Sequence, residues 1–83
     1  MIEKSIFVNK HQEKIDKEVE EVLEEICIKL ESEGYVNLEL RFDCIKGLIN
    51  PISYDINSKL QGHGWTILTT PDPENKKIKV IID

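Results

Sequence analysis

Two rhythms of apolar residues run along the chain. Ile15, Val19, Val22, Leu23, Ile26 and Leu30 recur in steps of three and four. That spacing puts them in one stripe on a helix of 3.6 residues per turn. Asn9 is suited to cap the start, with Gln12 three residues on to complete a capping box, and Gly34 supplies the left-handed position that ends a helix. The pattern predicts one long amphipathic helix over Asn9–Gly34. A period of two then takes over. Val36, Leu38, Leu40 and Phe42 alternate with Tyr35, Asn37, Glu39 and Arg41, the signature of a strand with one wet face.

The remaining elements follow from local chemistry. Lys4–Val8 (KSIFV) is rich in strand formers and stops at the Asn9 cap, so it reads as an edge strand. Asp43–Ile49 is a connection with several apolar residues. Asn50 at the N-cap and Pro51 at the first helical position open a second helix, whose buried line is Ile52, Ile56 and Leu60 and which Gly62 ends. Trp65–Thr70 reads as a strand with Trp65 in the core, Pro71–Asn75 as a turn, and Lys77–Ile82 as the closing strand of an antiparallel hairpin. The order is β-α-β-α-β-β over a single domain, residues 1–83. The implied fold is α+β, a two-layer sandwich with both helices on one face of a mixed four-stranded sheet.

Charge changes the picture of the long helix. Between Lys10 and Glu33 nine acids meet four bases, a balance of −5, which equals the formal charge of all 83 residues. Glu20–Glu24 and Glu21–Glu25 are like-charge neighbours at four-residue spacing, each unfavourable by roughly 0.2–0.5 kcal/mol. Ile28 falls among these acids, away from the apolar stripe. Glu20, Glu21, Glu24, Glu25, Ile28 and Glu31 therefore form a candidate partner-binding face, an apolar anchor ringed by carboxylates. Direct nucleic-acid binding is not expected: the chain has one Arg, and only Lys76, Lys77 and Lys79 cluster. No run of eighteen apolar residues marks a membrane span, and the N-terminus lacks the hydrophobic segment of a signal peptide. Cys27 and Cys44, seventeen apart, are expected to be free thiols in a reducing cytoplasm.

No catalytic signature stands out, and the chain is expected not to be an enzyme. Cys27, Cys44, His11 and His63 lack the close spacing of zinc ligands, so neither a metal nor a cofactor is expected. Lys46, Ile52 and Ser53 are candidate anion-binding residues, because a strand-to-helix loop ending on a helix N-terminus offers free N–H groups.

Gly62-His63-Gly64-Trp65, followed by a hairpin, resembles the small bacterial sulfur-carrier family of the SirA/TusA type, which shares the predicted element order and the approximate length. The architecture is also similar to the C-terminal domain of translation initiation factor 3. The family's Cys-Pro-x-Pro motif is absent, since the corresponding region reads Asn9-Lys10-His11-Gln12, and no reactive-cysteine role passes to Cys27 or Cys44. The resemblance implies a small-molecule or sulfur-handling accessory. The residues themselves favour a small acidic interaction or regulatory module, of phage or mobile-element type by size and composition, which binds another protein or a second copy of itself. A nucleic-acid mimic, built on the run from Glu18 to Glu25, is the third expectation.

Overall fold

The computed structural model describes residues 2–83. Helices α1 (Lys4–Lys10) and α2 (Gln12–Glu33) lead into strand β1 (Val36–Arg41). A short 3-10 turn, Lys46–Leu48, runs directly into helix α3 (Ile49–Leu60). Strands β2 (Ile67–Asp72) and β3 (Lys77–Ile82) close the chain, joined through a 3-10 turn at Pro73–Asn75.

The three strands form one antiparallel sheet in the order β1-β3-β2, with Leu38 opposite Val80 and Val80 opposite Thr69. Period-two alternation sends Ile78, Val80 and Ile82 of the central strand inward, where all three are fully buried. Helices α2 and α3 pack on that inner face. α2 lies against β1 and α3, and α3 lies against β2 and β3. Ile15, Val19, Val22 and Ile26 of α2 meet Ile49, Ile52, Ile56 and Leu60 of α3 in one core. The α+β two-layer expectation is met in this form. The four-stranded mixed sheet and the β-α-β-α-β-β order are not, and the sulfur-carrier resemblance loses the element order it rested on.

The correction lies at the N-terminus, where Lys4–Val8 is helical. A helix of seven residues is too short to persist alone in water, so packing holds it. Phe7 and Val8 lean on the core, and the Phe7 ring sits 3.1 Å from where a side-chain carbon on Gly47 would be. The Phe7 and His11 rings also meet at 4.9 Å. As a strand the segment would lose these contacts, and packing outweighs its β-propensity.

Asn9 consequently lies inside α1 and caps nothing. The break falls at His11, whose N–H bonds the Val8 carbonyl at 3.1 Å, and the Gln12 amide donates instead to Asp16 at 2.8 Å. The other end of α2 is as expected. Gly34 stands at φ +66°, and its N–H donates to the Leu30 carbonyl at 2.9 Å.

α3 begins two residues earlier than expected, with Leu48 and not Asn50 at the N-cap and no side-chain cap. Pro51 falls in the first turn, where its missing N–H had no partner to lose. Trp65 precedes β2 and is 38% exposed, because isoleucine and valine already fill the space between sheet and helices. β2 also runs through Pro71 to Asp72, where a turn was expected. The reason is register. Thr66 and Asp83 exchange reciprocal backbone bonds of 2.9 and 3.0 Å, so alternation turns the Pro71 nitrogen away from β3.

Candidate functional site

Along α2, side chains one turn apart share a face, so the core stripe fixes what the opposite side presents. Ile15, Val19 and Ile26 are buried, and the residues advanced half a turn from them are Glu20, Glu24, Ile28 and Glu31, with Glu21 and Glu25 alongside. All six candidate residues, Glu20, Glu21, Glu24, Glu25, Ile28 and Glu31, are exposed, Ile28 at 63%. They form one continuous strip along the last two-thirds of the helix.

Among the described residues no carboxylate of this strip is in a close ion pair. The ion pairs among them are Lys14–Glu18 at 3.0 Å, Lys59–Asp55 at 3.4 Å, Lys77–Glu39 at 3.1 Å and Lys46–Glu74. The four-residue pair that closes on α2 is Lys14–Glu18, on the flank near Asp43 and Cys44. There Lys14 is held above its ordinary range, first by its hydrogen bond to Glu18 and then by the attraction of that carboxylate. The strip therefore presents negative charge and one aliphatic side chain, with nothing of its own folded over them.

The candidate anion site is not assembled. Lys46 is engaged by Glu74, Ile52 is fully buried and Ser53 is 4% exposed. Because α3 starts at Ile49, Ile52 and Ser53 stand one turn inside the helix, facing the core. Neither thiol is in a disulfide. Cys44 is half-buried, and burial pushes its thiol above the ordinary range, with Glu18 adding to the effect. That raises the cost of forming the thiolate a nucleophile or metal ligand needs. Cys27 is exposed. No group of three or more His, Cys, Asp and Glu among the described residues is arranged to hold a metal ion. No helix among them is long and apolar enough to cross a membrane.

Sequence reasoning missed two surfaces. A shallow hollow of about 280 Å³ is lined by Cys27, Leu30, Glu31 and Trp65, beside the acidic strip. A groove of about 570 Å³ runs between α1 and the start of α3, with Val8 and Ile15 facing Pro51 and Tyr54. The groove exists because Lys4–Val8 is a helix. No family model, curated protein or solved structure matches the chain.

Proposed function

We propose that the chain is a protein-interaction module that binds a partner protein through the acidic outer face of α2, with Ile28 as its apolar centre. The observation that carries this reading is the juxtaposition itself: Ile28 is 63% exposed among five exposed glutamates that have no ion-pair partner among the described residues. A partner with a small apolar socket rimmed by Lys or Arg complements it in both shape and charge. Central apolar anchors dominate such interfaces, while the surrounding charges guide approach and exclude wrong partners. The module acts in the cytoplasm, as a regulatory protein rather than a catalyst. Self-association through the same strip is less favourable, since it brings two acidic faces together.

Affinity capture from native lysate tests the proposal, using wild type, Ile28→Glu and the triple variant Glu21→Lys, Glu24→Lys, Glu25→Lys. The expected result is a protein retained by wild type and lost by both variants, with wild-type retention weakening as salt rises. If both variants fold and keep every partner of the wild type, the strip is only a solvated surface.

A further inference from the structure

Strand β1 has a free edge whose hydrogen-bonding groups can be assigned. The Phe42 N–H donates to the Lys76 carbonyl at 3.0 Å, and the register places Phe42 opposite Lys76. In an antiparallel pair, hydrogen-bonding residues alternate along the strand. Val36, Leu38 and Leu40 thus point their backbone groups at β3, and Asn37, Glu39 and Arg41 point theirs away from it. β1 is an edge strand, and no hydrogen bond among the described residues engages these outward groups.

The opposite edge differs. On β2 the same alternation, set by the Thr66–Asp83 bonds, turns Ile67, Thr69 and Pro71 outward. Pro71 has no N–H to offer, and proline is a common guard of exposed edges. Thr69 is tied to α3 by the Asn57 amide at 3.2 Å. β1 has no proline, glycine or bulge along Val36–Arg41.

The layers also mismatch in width. Two helices side by side span roughly 20 Å, at about 10 Å each. Three strands at about 4.8 Å cover roughly 14 Å, and a fourth would bring the sheet to about 19 Å. α2 packs on β1, and beneath it Leu38 and Leu40 are only half-buried, whereas Ile78 and Val80 on the central strand are fully buried.

A second copy does not fit this edge. Two β1 strands paired about a twofold axis would bring their overlying α2 helices to within about 5 Å, the strand spacing, where helices need 8–10 Å. A single extended segment meets no such clash. On the outer side Glu39 is already engaged by Lys77 at 3.1 Å, while Arg41 is exposed and has no acidic partner among the described residues.

We propose that the edge of β1 takes up an extended segment of a partner protein as a fourth strand, with aliphatic side chains at alternate positions under α2 and an acidic side chain beside Arg41. The site stands apart from the helix-face reading and does not depend on it. Main-chain bonds to Asn37, Glu39 and Arg41 supply the attachment, and the side-chain alternation supplies selectivity.

The test uses the full chain, isotope-labelled, with synthetic peptides of about ten residues. One peptide alternates Val with Thr and Glu, and a second has Lys in place of Glu. Binding of the acidic peptide should slow hydrogen exchange at the amides of Asn37, Glu39 and Arg41, with weaker binding of the Lys peptide. Glu39→Pro removes an outward N–H without touching the β3 ladder. It should leave the melting temperature near wild type and weaken the peptide by at least about tenfold. Asn37→Pro serves the same purpose if Glu39→Pro does not fold. Absence of binding at about 1 mM peptide, unchanged affinity in the folded proline variant, protection confined to α2, or self-pairing of β1 seen by light scattering would each overturn the proposal.

Discussion

The two sides of α2 are built from the same helix and obey opposite rules. On the inner side Ile15, Val19, Val22 and Ile26 are between 0 and 7% exposed and touch α3 and the sheet. Their identity is dictated by burial, and each position has little freedom. On the outer side Glu20, Glu21, Glu24, Glu25 and Glu31 surround Ile28, and all six are exposed. Folding asks only that these outer residues be tolerated. Two like-charge pairs and an exposed isoleucine are small violations of what a merely solvated face would choose. The difference teaches where to look for function: the inner side answers to the protein's own stability, and the outer side has room to answer to something else.

The sharpest way to break this comparison is a truncation on each side. Ile26→Ala should cost roughly 2–5 kcal/mol, as large-to-small changes at fully buried sites do. Against a total of about 5–15 kcal/mol for a domain, that loss brings the chain close to unfolding. Leu23 sits at the margin of the stripe, half-buried, so Leu23→Ala should cost less, about 1–2 kcal/mol by its smaller buried area. Denaturant titration of both variants checks the ranking. Equal losses would mean the stripe extends to Leu23, and a loss at Ile26 below about 1 kcal/mol would mean the inner side faces no core.

The inner side was legible in the sequence because helical periodicity needs only the spacing of Val19, Val22 and Ile26. The candidate strip was legible for the same reason, as the complement of that stripe. The strands at Val36–Arg41 and Lys77–Ile82 announced themselves by alternation. What was hidden depends on distant partners. KSIFV carries strand propensity, but it is held as a helix by Phe7 packed against Gly47, a residue that spacing does not connect to it. Pro71 looked like a turn because its tolerance within β2 rests on which way its nitrogen faces, and the Thr66–Asp83 register decides that. The free edge of β1 was concealed by the first of these errors. Reading Lys4–Val8 as a strand provided a fourth strand for the sheet, and its helical state leaves the sheet at three.

On the outer side the expected effects on stability are smaller than at Ile26. Ile28→Glu should cost about 0.6–1.5 kcal/mol at low salt, from new like-charge contacts with Glu24, Glu25 and Glu31 and not from lost burial, because the side chain is largely in water already. Thermal and chemical denaturation check this. A loss comparable to that of Ile26→Ala would mean that Ile28 is covered within the protein itself.

The two thiols test accessibility around the same helix without altering it. Cys27 is exposed on α2, whereas Cys44 is half-buried with its thiol raised by burial. The higher pKa leaves less thiolate at a given pH, and the thiolate is the attacking species. Iodoacetamide near pH 8, the ordinary thiol range, should therefore alkylate Cys27 first, as followed by peptide mass spectrometry. Preferential labelling of Cys44 would place Cys27 under cover and contradict the exposed outer side.

A gain in stability, not a loss, separates a solvated face from a selected one. Glu24 lies four residues from Glu20 and three from Glu21, so Glu24→Lys turns two like-charge contacts into attractions between exposed groups. Each contact swings from a cost of a few tenths of a kcal/mol to a similar gain, so over two contacts the variant should be more stable than wild type by about 0.8–2 kcal/mol at low salt. The gain should fade toward 1 M salt, where charges are screened over about 3 Å. Denaturant midpoints at the two ionic strengths measure it. If the same substitution also releases the partner captured by wild type, the glutamates cost the helix stability for the sake of binding. If stability rises while capture is undiminished, Glu24 contributes nothing to the partner, and the contact must centre on Ile28 and the glutamates on its other side, Glu21 and Glu25.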